Sequence, residues 1–177
     1  MISLLEPGTY DAFAAHFARH SAESGRDGDI HFMPFAPGGE AGPAGVPREP
    51  LALGLDQVGW MRCWVAKTTA EDGQQEVVGH VDLKSGPLPA TAHRCELGIG
   101  LERRARHQGL GRQLMLAALQ FAQDAERLEW VDLRVFSHNT NARLLYRSLG
   151  FEEVGVIDDF VRLEGEHIAD VLMTLKV

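Results

Sequence analysis

The segment Arg106-His107-Gln108-Gly109-Leu110-Gly111-Arg112 places two glycines, two arginines and a histidine at the start of an amphipathic stretch. Glycines permit a tight turn, and a turn that opens a helix gathers N–H groups with no intrahelical acceptor at the positive end of the helix dipole. That combination suits a phosphate or pyrophosphate group. Arg103 and Arg104 extend the basic cluster, in a chain whose formal net charge is −8. It is not a P-loop, because no Gly-Lys-Ser/Thr follows, and the preceding strand lacks the spacing of a dinucleotide fingerprint. Upstream, Glu96, Gly98 and Gly100 share one face of a strand-like run by the two-residue period. Two glycines there leave room for a ligand to lie against the backbone.

These residues need a scaffold, and the periodicities predict one. Ile2 to Leu5 reads as a short strand, and Tyr10 to Ala22 as a helix with Phe13, His16, Phe17 and His20 on one side. His16 and His20 stand one turn apart, as in some helix metal sites, but no third ligand is evident and no metal is assigned. Gly25 to Pro50 is an irregular Gly/Pro-rich loop, long enough to be functional. A short helix over 49–58 leads into strands over 61–67, 77–83 and 94–101, with Asp72-Gly73 as a hairpin turn. Leu110 to Arg127 has the clearest helical period, with Leu110, Leu114, Ala117, Phe121 and Ala125 on one face. Then come a strand over 130–136, a helix from Asn139 to Leu149 capped by Asn and followed by Gly150, and a terminal hairpin around Glu164-Gly165-Glu166. The order predicts a single α/β domain over residues 1–177, with a mixed, mostly antiparallel sheet.

Composition narrows the class. The chain has 177 residues with 45% hydrophobic and 24% charged side chains, ordinary for a globular domain. Its acidic balance argues against a nucleic-acid partner. No run reaches the roughly 20 apolar residues that span a bilayer, and the first residues carry no secretory pattern, so the expectation is a cytoplasmic protein without a membrane partner. Cys63 and Cys95 read as core residues.

In Arg106-x-x-Gly109-x-Gly111, in the strand Glu96-Leu97-Gly98-Ile99-Gly100-Leu101 before it, and in Asn139-x-x-Ala142-x-x-Leu145-Tyr146-x-x-x-Gly150-Phe151 after it, the sequence resembles the GNAT superfamily of N-acetyltransferases. The resemblance covers Val77 to Val177 and leaves the N-terminal third less diagnostic. It implies acetyl-CoA as donor, with no metal, and a cofactor groove where the two central strands splay apart. Backbone groups of Ile99 and Leu101 would hold the pantetheine arm. Arg106, His107, Gln108, Gly109, Leu110, Gly111 and Arg112 would surround the pyrophosphate. Asn139 would bond the pantetheine side and Tyr146 would lie near the sulfur. Asn141 is a second candidate for the cap or the cofactor contact. Some relatives that acetylate protein N-termini carry a glutamate five residues before the Asn motif, where this chain has Arg134.

Attack on a thioester needs a neutral amine. Deprotonating a lysine-like amine at pH 7 costs about 4.6 kcal/mol, an α-amine about 1.4. Glu96 is the candidate base, directly or through water, and Tyr146 the candidate acid for the departing thiolate. A reversal centred on Leu88 would set Asp82 opposite Arg94 and His80 opposite Glu96, predicting a His80–Glu96 pair. The expected activity is direct acetyl transfer to a small-molecule or peptide amine, homodimerisation being open. A non-catalytic acetyl-CoA-binding module and a protein-directed transferase are the alternatives.

Overall fold

Runs rich in Val, Leu, Ile and aromatic residues pair into one seven-stranded sheet. The strands are β1 (Ile2–Leu4), β2 (Met61–Thr69), β3 (Gln75–Ser85), β4 (Arg94–Leu101), β5 (Trp130–Phe136), β6 (Glu152–Leu163) and β7 (Glu166–Lys176), in the order β1-β2-β3-β4-β5-β7-β6. Neighbours are antiparallel except β4 and β5, which run parallel across an intervening helix. The helices are α1 (Tyr10–Ala22), α2 (Arg48–Ala52), α3 (Leu110–Asp124) and α4 (Thr140–Ser148). This computed structural model describes residues 1–35, 48–70 and 73–177, so the centre of the Gly/Pro-rich loop and Asp72 of the expected hairpin turn lie outside the described residues. The helix expected over 49–58 is the shorter α2.

The sheet is covered on both faces. On one, α3 and α4 pack against Val81, Leu83, Leu97, Val131 and Leu133. The buried stripe of α3 is Leu114, Met115, Ala118, Leu119 and Ala122, one position around from the expected one; Ala117 and Phe121 form its edge. Phe121 meets Trp64 edge-on with ring centroids 5.3 Å apart, which explains an aromatic at the margin rather than the centre.

On the other face α1 lies over β2 and β3, with Phe13 fully buried among Cys63, Val65 and Val77. Polar groups are buried here in a chain of hydrogen bonds. His16 Nδ1 is 2.9 Å from Glu102 Oε1, and His16 Nε2 is 2.9 Å from His80 Nδ1. Arg19 and Arg104 also donate to the Glu102 carboxylate. Burial opposes ionisation of Glu102, but these donors hold its pKa below the ordinary value. The third ring, His20, stacks on Phe32 at 4.7 Å. His16 is thus placed by hydrogen bonds and His20 by stacking.

Burial lowers the pKa of all three histidines, that of His20 to about 3. An unfolded histidine titrates near 6.5, so between about pH 3 and 6.5 the unfolded chain binds more protons than the folded one and stability rises with pH. Stability should therefore fall on acidification below about pH 6.5, by up to about 5 kcal/mol from His20 alone. Urea unfolding between pH 4 and 8 tests this: His20→Gln should reduce the proton slope by up to about one, and an unchanged slope would show that His20 is not kept neutral by the fold.

The turn between β3 and β4 overrides one expectation. His80 pairs with Gly100, Asp82 with Gly98 and Lys84 with Glu96. A one-turn 3-10 helix, Pro89–Thr91, occupies the connection and moves the centre of reversal from Leu88 to Ala90. The partner on β4 therefore shifts by four residues, and neither the His80–Glu96 pair nor Asp82 opposite Arg94 forms. Because the shift is even, His80, Asp82, Glu96, Gly98 and Gly100 remain on one face.

Candidate active site

β4 and β5 pair only from Arg94↔Trp130 to Leu97↔Leu133. Beyond that point residues 98–101 leave β5, and residues 134–136 continue along β7 alone. The sheet thus opens into a wedge at its centre. The amide of Glu102 bonds the carbonyl of Val78 on β3 at 3.0 Å. Backbone direction alternates along a strand, so Leu101 and Ile99 turn their amides and carbonyls toward the wedge. Gly98 and Gly100 alternate with them, as anticipated.

At the open end of the wedge the chain turns into α3. His107 (φ 59°) and Gly109 (φ 77°) both occupy the left-handed region, and Gly109 is the N-cap. Such alternation folds successive amides into a concave anion site. The first α3 bond from outside the helix runs from Gln113 N–H to the Gly109 carbonyl at 3.2 Å, so the amides of Leu110, Gly111 and Arg112 precede it and point out of the helix end. A Cβ on Gly111 would lie 3.4 Å from Leu145 and 3.6 Å from Leu101, so glycine lets α3 start close against both β4 and α4.

The basic cluster is used otherwise than expected. Arg106 donates to Leu101 O (3.1 Å), Asp29 (2.7 Å) and Glu23 (2.8 Å), and its guanidinium lies 5.1 Å from the centroid of Phe32. Arg103 engages Asp27 and Asp29, and Arg104 engages Glu76 and Glu102. These three arginines clamp the turn to α1, β3 and the 26–32 segment. Of the cluster, His107 and Arg112 stand exposed at the turn, with Arg112 bonded to Ser148 Oγ at 3.1 Å, and Gln108 folds back onto the Arg104 carbonyl at 2.8 Å. An anion at this turn would therefore meet backbone amides and the helix end, with Arg112 the exposed arginine of the motif.

Across the wedge, Asn139 caps α4 by accepting from Ala142 N–H at 3.2 Å. Its carbonyl oxygen is thereby used, leaving the amide NH₂ to donate. Asn141 is exposed one residue into α4 and does not form the cap. Tyr146 is 6% exposed, packs against Phe151 at 6.1 Å, and shares a buried cluster with Leu97 and Leu133, the last β4–β5 pair before the wedge. Burial alone pushes its phenol pKa well above the ordinary value of about 10.

The opposite face carries the ionisable groups. Register places Lys84, Glu96, Asp132 and Thr174 in one row and Asp82, Gly98, Arg134 and Leu172 in the next, with the wedge between Gly98 and Arg134. A pocket of about 420 Å³ lies here, walled by Glu96, Asp132, Arg134, Val154 and Leu172. Glu96 is half exposed and 3.4 Å from Lys84 Nζ. Arg134 binds the buried Asp170 and stacks on Phe160. Asp82 was not anticipated as a site residue. Its carboxylate lies over Gly98, where a Cβ would come within 3.0 Å of Oδ1, and its pKa is pushed up to about 7, chiefly by burial and further by Glu96, with Lys84 opposing. Only the correct strand register reveals that placement.

The profile of the acetyltransferase (GNAT) family matches residues 39–151. The chain belongs to the GNAT acetyltransferase family. Among curated relatives, the L-amino acid N-acetyltransferase AaaT of Escherichia coli is 27% identical over 93 residues, 52% of this chain and 57% of that protein. The alanine N-acetyltransferase of ribosomal protein uS5 from the same organism is 24% identical over 102 residues, 58% of this chain and 52% of that protein. This chain thus spans about half the length of the curated relatives it matches. Its fold superposes on a GNAT-family acetyltransferase from Streptococcus pneumoniae with a TM-score of 0.81 and 22% identity, covering 100% and 99% of the two chains. A Salmonella typhimurium protein, yncA, solved with its cofactor acetyl-CoA, superposes with a TM-score of 0.74 and 14% identity over 99% and 92%. These two solved structures share the α/β fold described above. No helix of the described residues is long and apolar enough to cross a membrane.

Proposed function

We propose that this GNAT domain transfers the acetyl group of acetyl-CoA directly to a primary α-amine, in a ternary complex. The observation that carries the reading is the wedge between β4 and β5, with Tyr146 on one side of the sheet and a pocket of ionisable groups on the other. An acyl donor threaded through such an opening meets its nucleophile on one face and releases its leaving group on the other. Two features fit acetyl-CoA: the amide-lined turn from His107 to Arg112 suits a pyrophosphate, and the β4 edge at Ile99 and Leu101, where pairing with β5 has ended, suits the amides of a pantetheine arm. Asn139 stands across the wedge with its NH₂ free to donate. The thioester supplies an activated acyl carbon; the protein supplies orientation, donors and proton transfer.

Tyr146 stays protonated across the working pH range and donates to the departing sulfur. Glu96, held beside Lys84 at the pocket mouth, draws the cationic acceptor inward. The two curated relatives above are named for amino-acid acceptors, an L-amino acid and an alanine of ribosomal protein uS5. Arg134, in the pocket wall and bound through Nε to Asp170, is the cation we assign to the carboxylate that a free amino acid carries beside its amine and a polypeptide N-terminus lacks. Thiol release from acetyl-CoA, measured against L-amino acids, their amides, peptides with free N-termini and polyamines, tests the proposal. The expected result is turnover of amino acids faster than of their amides. Thiol release from no amine would overturn the transferase reading in favour of a binding module.

A further inference from the structure

We propose that Asp82, on β3, is the general base that takes the proton from the acceptor ammonium. This rests on the transferase reading above. The argument begins with the glycine opposite. Asp82 and Gly98 are register partners, and the carboxylate lies across the glycine, so a Cβ at position 98 would press to 3.0 Å from Oδ1. Gly98 is the first β4 residue beyond the last β4–β5 pair. The carboxylate therefore sits at the vertex of the wedge, where an acyl carbon lying along β4 would be reached from the pocket face. Glu96 is one row further from the opening and is tied to Lys84 at 3.4 Å.

The groups facing Asp82 come from each packed element. Cys63 is its partner on β2, His80 and Lys84 flank it on β3, Glu96 lies on β4, and Arg134 stands beyond the wedge on β5. Burial is the main reason this carboxylate holds a proton near neutral pH, with Glu96 adding to it. A base whose pKa lies near the working pH combines ionisation with driving force, which an exposed carboxylate near 4 lacks. The proton balance closes. Asp82 takes one proton from the ammonium, leaving the amine lone pair free. The C–N bond then forms as the C–S bond breaks. The departing sulfur, hydrogen-bonded by Tyr146, ends with the second proton lost from nitrogen, and Asp82 returns its own proton to solvent.

The test compares full-length wild type with Asp82→Asn, Asp82→Glu and Glu96→Gln, each first checked for fold by circular dichroism and thermal unfolding. Two acceptors are used: the fastest amine of the panel above, and hydroxylamine, which is already a free base at neutral pH. Asp82→Asn should lower kcat/KM for the ammonium acceptor roughly 100-fold. Its rate should then climb about tenfold per pH unit even above about pH 8, where wild type is level, because only solvent deprotonates the amine. Transfer to hydroxylamine should be largely retained. Asp82→Glu should recover part of the loss. Glu96→Gln should keep the level region and move its acidic midpoint down, since the charge that raises the Asp82 pKa is gone. Equal loss with both acceptors in a folded Asp82→Asn would assign Asp82 a structural role and overturn the proposal. So would an unchanged pH profile, or a wild type that accepts hydroxylamine alone. Failure of every acceptor, hydroxylamine included, would instead remove the transferase reading itself.

Discussion

Replacing Tyr146 by Phe should reduce kcat roughly 100-fold while leaving the KM for acetyl-CoA and the thermal midpoint nearly unchanged. The ring is held by Phe151 and by the cluster around Leu97 and Leu133, and phenylalanine keeps those contacts. Only the hydroxyl is lost. A thiolate leaving group near pKa 8.5 is a poor proton acceptor from an ordinary phenol near 10, and burial raises the phenol further. In the proposed reaction Tyr146 therefore acts by a hydrogen bond that tightens as charge develops on sulfur, an interaction absent from the ground state. Such an interaction appears in kcat rather than in KM. Because its pKa lies far above the working range, no limb of the pH profile should belong to it. The check is steady-state thiol release at saturating acetyl-CoA, beside a titration of cofactor binding. A folded variant with wild-type turnover would reduce Tyr146 to a packing residue.

The second large effect is expected at Gly100. An added Cβ would fall 2.5 Å from His20 Nε2 and 2.7 Å from His80 Cε1. Neither ring can yield easily. His80 is hydrogen-bonded through Nδ1 to His16, and His20 is stacked between Phe32 and His16. Overpacking a well-filled core costs about 1–3 kcal/mol, and with two locked rings Gly100→Ala belongs at about 3. In a chain of 177 residues that corresponds to a fall in Tm of roughly 6–12 °C. The strand edge beside the wedge must shift too, so acetyl-CoA affinity should fall with stability. Gly155→Ala is the control, since nothing lies within 4 Å of its added Cβ. Thermal unfolding with and without acetyl-CoA reads both effects, and equal midpoints for the two variants would contradict the packing argument.

Much of the site was legible before the fold. The strand over 94–101 and the helix over 10–22 end where periodicity placed them, because a glutamate-glycine alternation and a Phe/His stripe are local signals. Asn139 announced its helix by a side chain that can cap, and Gly109 announced the anion turn by a backbone angle other residues adopt reluctantly. What failed was longer-range. The arginines beside the turn resembled phosphate ligands, yet Arg103, Arg104 and Arg106 are neutralised by Glu23, Asp27, Asp29, Glu76 and Glu102. A count of local charge cannot see acids contributed by other elements.

The sequence by itself determined the element order, the amide-rich turn, the alternation of Glu96, Gly98 and Gly100, and the family, since each depends on residues within a few positions of one another. Tertiary structure alone decided the strand register, because a one-turn 3-10 helix between β3 and β4 moved every partner by four. It thereby brought Asp82 over Gly98 and His80 to Gly100, and left Glu96 with Lys84. It decided where β4 and β5 part, and which face holds Tyr146 and which the pocket. It also raised the pKa of Asp82, because burial is a property of the packed whole and no single residue or spacing carries it.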